Sequence, residues 1–555
     1  MSTVCLTCGA LAKPNATKCI YCGGTEFGES TPVRTKPRSQ GGIGAQTAKC
    51  GSGVFDHDGW RDQWKSHRDS YSKLGLILTN TAELSNPVPF QEALDSYIRF
   101  KDAGGIHYCV LDLKDQRVAG FYNPDCRDLI PMIRDIYAVA IPDYLFIIGD
   151  VNTVPGMEWI NDGDDEDYTV QSDLPYITLD TDSPWSGKIF DFLTVTAVGR
   201  LPTSPYTGFS EAIHYLSFCE RRQGVDPINA YTLSTLTWEA TSHTVFDFLN
   251  PLFQTSPYVT CSSNYLNVPG YERLQPVDPK FNLLGFNLHG GEGVSYWGGE
   301  SVQDHPIAFH PSYLPVSSPN GYVICVEACY GANPVMEIDD TEPSALVFAM
   351  DNRCLAFVGS TRVAWGRVDG GMGNADIIAH VFCKEVNCGK EYGEAFLNSL
   401  TALCNSAGHL NGVNIKTLAE FNLYGDPSGV LYESAVHHRD IGRKRNLTVS
   451  RPVNDSSRAF KLLSCDEAQS EYGITNFSSD ERAKITLMAQ RVVQTGKSYM
   501  QAKFPHMASV QPKVFKIAGQ DAYQSFYTKT DGNFVSRVSL ITNGNGEVVE
   551  TLIAK

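Results

Sequence analysis

The chain has 555 residues, 42% of them hydrophobic, which is enough for a large core and more than one domain. Its formal net charge of -17 at pH 7 argues against sequence-independent binding to nucleic acid or to a membrane surface. No stretch approaches the roughly 18 uninterrupted apolar residues of a membrane span, so no transmembrane helix is expected.

The first residues, "MSTVCLTCGALAKPN", and the cysteine count indicate the compartment. The stretch has no basic start followed by an apolar run, so no signal peptide is expected. Cysteines number 16 in a long chain without such a signal, which indicates thiols and metal ligands rather than a disulfide framework. We therefore expect a cytoplasmic protein with no membrane partner and no nucleic-acid partner.

Residues 1–24 contain two C-x-x-C-G turns, Cys5 with Cys8 and Cys19 with Cys22. The two-residue gap lets both thiolates of a turn reach one tetrahedral ion, and two turns make a closed four-thiolate site, typical of structural Zn²⁺. Four incidental cysteines are the alternative. The segment resembles the zinc-ribbon family, which implies an interaction module that holds one zinc ion and recruits a protein partner or activator.

Residues 25–69 are interpreted as a linker. The stretch "TEFGESTPVRTKPRSQGGIGAQTAKC" is polar and rich in Gly, Ser, Thr and Pro, a composition typical of connecting segments.

From residue 70 to residue 438, short apolar strands alternate with helical stretches. "KLGLILT" predicts a strand, "FQEALDSYIRFKDAG" an amphipathic helix and "IHYCVLDL" the next strand. Later strands are expected in "FNLLGFNLHGG", "GYVICVEAC" and "CLAFVGST". This alternation predicts an α/β fold, a mostly parallel sheet with helices on both faces. We divide it into an N-terminal subdomain at about 70–205 and a catalytic subdomain at about 206–438.

The rest of the chain is divided into a second linker and a small C-terminal domain. Residues 439–457 form a basic and then polar linker. In residues 458–555, "SSDERAKITLMAQRVVQTGKSYMQAKF" predicts a long amphipathic helix. Alternating stretches follow, with turns at "TDGN" and "NGNGE". A helix on an antiparallel meander, an α+β arrangement, is the expected architecture.

His289 and Cys329 carry the chemistry that the sequence indicates. Each stands at the end of a predicted strand, and in open α/β sheets the active site lies at the carboxyl ends of strands. Cysteine catalysis needs a thiol, a nearby base and amide donors for the oxyanion. His289 is the expected base, Cys329 the nucleophile, and the amides of Gly290 and Cys329 the oxyanion hole. A turn histidine and a small buried cysteine are the alternatives.

Six blocks in order resemble the gingipain family of cysteine peptidases, within the caspase-like fold group. They are "YLFIIGDVNTVP", "VTAVGRLP", "FNLHGGEGVSYWGG", "VEACYGA", "LAFVGSTRVAWG" and "FNLYGDPSGVLYE". The resemblance implies a caspase-like peptidase domain over 70–438 and a Cys-His dyad of Cys329 and His289. The terminal segments depart from it. Gingipains are secreted, with propeptides and immunoglobulin-like modules, whereas this chain has cysteine turns and a helix-meander tail.

Glu327 is the first candidate for substrate specificity. Side chains alternate along a strand, so Glu327 and Cys329 point to the same side. In the caspase-like fold that this chain resembles, the residue two before the nucleophile faces the pocket for the residue preceding the cut. A carboxylate there pairs well with a guanidinium, which favours cleavage after Arg or Lys. Glu239 is a second candidate acid, while asparagine preference, as in legumain, and a structural role for Glu327 stay open.

Two further sites are left open by the sequence. The group that orients His289 is expected to be a backbone carbonyl or an acid near residues 225–240. The acidic loop "NDGDDEDY" at 161–168 is rich in oxygen ligands, which suits Ca²⁺, and the gingipains that the chain resembles bind calcium. Its spacing is not that of an EF-hand, and the charge block favours a solvated loop instead.

The terminal modules are expected to control the enzyme, either by sensing a partner or by holding the protease inactive. Arg443, Lys444 and Arg445 in the second linker, and "RTKPR" in the first, are candidate self-cleavage sites for an enzyme that cuts after Arg or Lys. Merely solvated basic linkers are the alternative. Two other interpretations stay open: a catalytically inactive caspase-like scaffold, and a transamidase that uses the same thioester chemistry.

Overall fold

The computed structural model describes most of residues 60–431 and 479–554, together with short pieces elsewhere. The described ranges are 3–5, 11–12, 27–29, 60–114, 126–160, 167, 169–177, 196–222, 224, 228–255, 276–300, 307–334, 344–406, 412–431, 460–461, 479–516, 522–531 and 534–554.

The chain builds helices and strands in alternation, as the sequence pattern predicts. The helices are α1 (Trp60–Ser70), α2 (Val88–Ala103), α3 (Cys126–Val139), α4 (Ser210–Arg221), α5 (Glu239–Phe246), α6 (Ala345–Asp351), α7 (Ala375–Asn387), α8 (Tyr392–Ser406), α9 (Gly412–Glu420) and α10 (Ser479–Lys503). The strands are β1 (Thr3–Cys5), β2 (Leu11–Ala12), β3 (Phe27–Glu29), β4 (Lys73–Thr79), β5 (Ile106–Asp112), β6 (Tyr144–Ile148), β7 (Met157–Ile160), β8 (Thr169–Ser172), β9 (Ala197–Leu201), β10 (Ala230–Ser234), β11 (Leu252–Thr255), β12 (Leu283–Asn287), β13 (Trp297–Gly298), β14 (Ile307–Phe309), β15 (Tyr322–Val326), β16 (Cys354–Ser360), β17 (Trp365–Arg367), β18 (Phe421–Gly425), β19 (Phe460–Lys461), β20 (Lys513–Lys516), β21 (Ala522–Asp531), β22 (Phe534–Asn543) and β23 (Val548–Ala554).

A 10-stranded sheet forms the centre of the molecule, in the order β11-β10-β12-β15-β16-β18-β9-β6-β4-β5. Every neighbouring pair is parallel except β16 and β18, so two parallel halves run in opposite directions. Strands β4, β6, β12, β15 and β16 are almost wholly buried, as expected for strands covered by helices. The predicted fold class, an α/β protein with a large, mostly parallel sheet and helices, is confirmed.

Helix α1 lies inside the segment 25–69 that the sequence analysis assigns to a linker. Its Trp64 is 1% exposed and donates its indole N–H to the carbonyl of Ala140 at 2.8 Å. The polar composition of residues 25–50 does not extend to this helix, and the domain assigned to residues 70–438 begins by residue 60; strand β3 also falls inside the segment assigned to a linker.

The N-terminal segment contains three short antiparallel strands in the order β2-β1-β3. Cys5 closes β1, while Cys8, Cys19 and Cys22 lie outside the described residues, so the zinc site stays a prediction. The second linker with Arg443, Lys444 and Arg445 also lies outside them.

The C-terminal domain has the α+β architecture that the sequence predicts, with α10 beside an antiparallel meander of β20 to β23. One feature was not predicted. Strand β17, which follows the central strand β16, pairs antiparallel with β23 at one edge of the meander, and β19 pairs with β20 at the other, so the sheet has six strands. The domain assigned to residues 70–438 and the C-terminal domain therefore contribute strands to one sheet.

Two of the six sequence blocks each supply a charged residue to a buried ion network. Arg200 of "VGRLP" forms a bidentate pair with Asp173, at 2.8 and 2.6 Å, and donates to the carbonyl of Val154 at 2.7 Å. Asp426 of "YGDP" accepts from Lys101 Nζ at 2.8 Å. It also accepts from Tyr97, Tyr108 and Ser428. Burial disfavours the charged carboxylate, but Lys101 and these donors outweigh that effect and lower the pKa of Asp426.

Replacing Lys101 with methionine is expected to lower the free energy of unfolding by about 3–5 kcal/mol, because it leaves Asp426 as a buried charge without its cation. Since the pKa of Asp426 is depressed in the fold, its contribution is present above pH 3.8 and is lost as the pH falls below that value. Urea unfolding at pH 7 measures the effect. The exposed pair Lys280–Asp278 supplies the control, and Lys280→Met should leave the midpoint unchanged. An unshifted midpoint in Lys101→Met would contradict the assignment.

Candidate active site

Parallel pairing of β12 and β15 brings the two predicted catalytic segments to one edge of the sheet. Leu283 pairs with Val323 and Phe286 pairs with Val326, without a shift in register. His289 and Cys329 follow these strands at nearly the same height, since each lies two or three residues beyond its strand end.

Gly290 packs directly on the backbone of Cys329. A Cβ atom at position 290 would overlap the Cys329 carbonyl oxygen, and it would also lie 2.8 Å from the carbonyl carbon and 3.1 Å from the nitrogen. Only a glycine allows this approach. The loop that carries His289 and the turn that carries Cys329 are therefore in contact through their main chains.

Three contacts fix the ring and backbone of His289. Its backbone forms an antiparallel bridge with Gly298, with N–O distances of 2.9 and 2.6 Å. Its Nε2 lies 3.3 Å from Oε1 of Glu300, and the ring of Trp238 lies 4.6 Å away, centroid to centroid. The side chains of His289 and Glu300 are only 12% and 10% exposed.

Glu300 is held in its charged form. Burial disfavours the carboxylate, but the hydrogen bond and positive charge of His289, with help from Thr237, outweigh that effect and lower the pKa of Glu300. The backbone N–H of Thr237 donates to Oε2 of Glu300 at 3.2 Å. A charged acid on Nε2 is the arrangement that fixes the tautomer of a catalytic histidine.

Cys329 sits in a strained turn. Tyr330 has φ of 54°, in the left-handed region that is unusual for a bulky residue, and Gly331 N donates to Ala328 O at 3.0 Å. The backbone N–H of Tyr330 donates to Arg362 O at 2.8 Å, which fastens the turn to the segment after β16. Such strain persists where the surroundings determine the conformation, commonly at active sites.

The Cys329 thiol is buried and protonated. The residue is 3% exposed, and its Sγ donates to the carbonyl of Ala364 at 3.8 Å. Burial raises its pKa to about 12, although the positive charges of Arg537 and Lys416 act in the opposite direction. A nucleophilic cysteine needs a thiolate, so this arrangement is that of a resting thiol.

A small pocket lies beside the thiol, between the two loops. It is lined by Gly290 and Gly291 from the His289 loop, by Cys329 and Tyr330 from the turn, and by Ser344 at the start of α6, among others. Gly290 and Cys329, whose amides are the predicted oxyanion donors, both line this pocket.

The two predicted specificity acids lie in different surroundings. Glu327 is completely buried, its backbone N–H donates to Phe286 O at 2.8 Å, and it is not among the pocket-lining residues. Glu239 begins α5, is partly exposed and follows Trp238, the residue that packs on His289. Both assignments stay predictions.

Asp167 belongs to the loop 161–168 that the sequence analysis favoured as solvated, and at this residue the expectation is wrong. Asp167 is 7% exposed and lies 2.5 Å from Lys416 Nζ. It accepts from the Tyr330 hydroxyl at 2.8 Å and from the Val363 N–H at 3.0 Å. Burial disfavours its charge, but Lys416 outweighs burial and lowers the pKa of Asp167. The rest of the loop lies outside the described residues, and Ca²⁺ binding stays a prediction.

His67, His107 and Cys109 form the one group of metal-ligating side chains found within the described residues, at the far edge of the sheet. The two imidazoles are stacked, with centroids 4.4 Å apart and planes at 26°. Imidazole lone pairs lie in the ring plane, and a zinc ion must lie about 2 Å from each nitrogen along them. Stacked rings do not direct both lone pairs to one point, so the group is not arranged as a metal centre.

Glu300 is the residue that sequence reasoning missed. The sequence predicts a backbone carbonyl or an acid near residues 225–240 as the group that orients His289, but the acid on its ring lies 11 residues after it in the same "HGGEGVSYWGGE" segment. The bridge between His289 and Gly298 folds this segment back on itself and returns Glu300 to the imidazole. A glycine pair on either side of an aromatic stretch was the available signal for that reversal.

The comparisons with known proteins give structural neighbours only. No protein-family model and no curated protein matches the chain. The chain is similar to the crystal structure of the Arg-specific cysteine proteinase gingipain R, at 12% identity over 87% of this chain and 91% of that chain, with a TM-score of 0.45. It is also similar to the complex of Porphyromonas gingivalis RgpB pro- and mature domains, at 13% identity over 87% and 93%, with a TM-score of 0.46. Likeness at this level assigns no role to any residue of this chain.

Helices long and apolar enough to cross a membrane are absent from the residues that the structure describes.

Alkylation by iodoacetamide at pH 8 is expected to modify the exposed Cys388 and to leave Cys329 largely unmodified. With a pKa of about 12, roughly one Cys329 thiol in 10⁴ is ionised at that pH, and only the thiolate reacts. Peptide mass mapping of the native protein checks this result. Modification of Cys329 as fast as Cys388 would contradict the buried, protonated thiol.

Proposed function

We propose that the protein is a cysteine endopeptidase that hydrolyses peptide bonds with Cys329 as nucleophile and His289 as base. The observation that carries the proposal is the contact of the two strand-end loops, in which Gly290 lies on the Cys329 main chain. Neighbouring parallel strands, a glycine-lined pocket and a histidine held by a charged acid supply the parts that thioester chemistry needs.

The reaction proceeds in two steps. His289 accepts the thiol proton while the Cys329 sulfur attacks the carbonyl carbon of the substrate, and the resulting oxyanion accepts hydrogen bonds from the amides of Gly290 and Cys329. His289 then gives the proton to the departing amine, which leaves a thioester. Water attacks the thioester while one of its protons passes to His289, and His289 gives that proton to the departing Cys329 sulfur, which releases the carboxylic acid and regenerates the thiol and the base.

Glu300 acts as a positioning residue for this base. Because its carboxylate lies against Nε2 of His289, the proton on that nitrogen stays in place and Nδ1 serves the exchange with Cys329. The negative charge of Glu300 also stabilises the imidazolium that forms in each step.

Cleavage after Arg or Lys is the specificity that we propose, with Glu327 or Glu239 as the acid that recognises the basic side chain. Each stands close in sequence to a residue of the candidate site, Glu327 beside the Cys329 turn and Glu239 beside Trp238. A carboxylate in a confined pocket binds a guanidinium in two parallel hydrogen bonds.

We further propose that the enzyme is regulated and lies in the cytoplasm. We propose structural Zn²⁺ on Cys5, Cys8, Cys19 and Cys22, a protein partner for the terminal modules, and self-cleavage in the basic linkers. An inactive scaffold is a second candidate, and the buried thiol with its raised pKa favours it. Transfer to an amine, in place of hydrolysis, uses the same thioester, and the mass of the product separates the two.

A panel of reporter peptides with Arg, Lys, Asn or Asp before the reporter tests the activity. Wild type is expected to cleave the Arg or Lys peptides, and Cys329→Ala should cleave none, because no thioester can form without the sulfur. Cys388→Ala, an exposed cysteine far from the site in sequence, is the matched control and should retain activity. Equal cleavage by wild type and Cys329→Ala would exclude Cys329 as the nucleophile. Cleavage after Asn would contradict the proposed specificity for Arg or Lys.

Replacing Glu300 with glutamine is expected to lower kcat/KM by about 10²-fold, in the range found for groups that orient an essential histidine. The loss should fall on kcat rather than KM, and the acid limb of the pH profile should shift, because the neutral amide no longer stabilises the imidazolium. Glu292→Gln, in the same loop and exposed, is the control. A change in KM alone, or an unshifted pH profile, would assign Glu300 a merely structural role.

A further inference from the structure

The meander of the C-terminal domain has two buried faces. Side chains alternate along its strands, so neighbours in sequence point to opposite sides. Phe526 and Tyr527 on β21 belong to different apolar clusters, and so do Leu552 and Ile553 on β23. A free-standing helix-and-meander domain would bury only the face against its helix.

One face packs against the domain's own helix α10. Tyr527, Val538 and Ile553 share a cluster with Met500 of α10 and with Leu540. The hydroxyl of Thr551 donates to that of Tyr499 at 3.0 Å on the same side. This face is the core of the C-terminal domain itself.

The opposite face covers the candidate active site. Phe526, Leu552 and Ala554 belong to the apolar cluster that contains Cys329 and Trp365. Phe526 packs its ring edge against Trp365, with centroids 5.5 Å apart. The thiol is therefore buried in a cluster to which the C-terminal domain contributes three side chains.

Strand pairing fastens the two domains immediately beside the thiol. Ala364 accepts the hydrogen bond of Cys329, and β17 begins at the next residue. β23 lies along β17, with Trp365 opposite Ala554 and Arg367 opposite Leu552. The main-chain edge next to the nucleophile is thus taken by a strand of the same chain.

Charges strengthen the same contact. Arg537 of β22 is 4% exposed and lies 3.9 Å from Asp167, which is bonded to the Tyr330 hydroxyl and to Lys416. At the rim, Arg367 pairs with Glu550 at 2.9 Å. An interface with buried charge resembles a reversible interdomain contact more than an all-apolar permanent one.

The C-terminal domain is also connected to His289, the proposed base. Trp238, which packs on the His289 ring, belongs to the same cluster as Met507, Tyr527 and Ile553 of the C-terminal domain. Cys329 thus shares a cluster with residues of that domain, and His289 is connected to the domain through Trp238.

We propose that the C-terminal domain is a built-in inhibitor, in which β23 occupies the main-chain edge of β17 and the meander closes the cleft over Cys329. This inference rests on the proposed peptidase function and adds its regulation. An extended polypeptide binds an enzyme by adding a strand to an exposed edge, and here that edge is filled. Displacement of the domain opens the edge, admits water to the thiol and exposes the base in one movement.

Charge reversal in the full-length chain tests the proposal. Arg537→Glu places an anion beside Asp167 and should release the domain, while Lys513→Glu makes the same charge change on an exposed position of the same meander and should not. Leu552→Asp is a second release variant, because it introduces a charge into the cluster that contains Cys329. Hydrogen exchange reports release as lost protection in β17 and β23, with protection of the central strand β12 retained as the sign that the catalytic domain stays folded.

Two measurements, the alkylation rate of Cys329 and the rate of reporter hydrolysis, test the inhibitor proposal and the proposed peptidase function separately. The rate at which Cys329 is alkylated at pH 8 should rise at least tenfold in Arg537→Glu and Leu552→Asp, in step with the lost protection of β23, and should stay at the wild-type value in Lys513→Glu. Reporter hydrolysis should rise with it. Faster alkylation without hydrolysis would confirm that the C-terminal domain covers Cys329 and would contradict the proposed peptidase function. An alkylation rate that does not follow the protection of β23 would overturn the inhibitor, whatever the hydrolysis shows.

Discussion

The contact between Gly290 and the main chain of Cys329 is the constraint on which the candidate site depends. It exists because β12 and β15 are parallel neighbours whose carboxyl ends reach one edge of the sheet. A side chain at position 290 would separate the two loops, and the His289 imidazole and the Cys329 turn would no longer share a pocket. On one side of this contact, the bridge between His289 and Gly298 returns Glu300 to the imidazole. On the other side, Tyr330 in its left-handed conformation turns the chain after Cys329.

Buried charges account for several of the sequence blocks outside the site. Arg200 joins Asp173 to the carbonyl groups that follow β6, and Asp426 accepts from Lys101 and Tyr97 of α2 and from Tyr108 of β5. A buried ion that loses its partner costs several kcal/mol, so such positions tolerate few residue types. Motifs of this kind indicate a fold rather than an activity. The proposed chemistry of this chain rests instead on the residues at the strand ends.

Local patterning made the central sheet, the C-terminal helix and the meander predictable, since alternation and helical periodicity are properties of short segments. His289 and Cys329 were predictable for the same reason, as polar residues at the ends of apolar strands. Asp167 and the β17–β23 pair were not, because each depends on a long-range contact, and Glu300 was missed because it reaches His289 only through the local chain reversal at Gly298. Asp167 lies in a run of acids that reads as solvated, and only its pairing with Lys416, 249 residues away, removes it from water.

In the proposed enzyme, the burial of Cys329 links catalysis and its control, because the same free energy opposes ionisation of the thiol. A thiol pKa of about 12 in place of 9.0 corresponds to about 4 kcal/mol against ionisation. The two positive charges near the sulfur, Arg537 and Lys416, favour the thiolate, yet burial prevails over both. Arg537 belongs to the C-terminal domain, which also supplies part of the apolar cluster that buries the Cys329 thiol. Displacing that domain removes one favourable charge but admits water, which solvates a thiolate far better than an apolar cluster does, so the net effect of opening is to lower the thiol pKa and raise its reactivity.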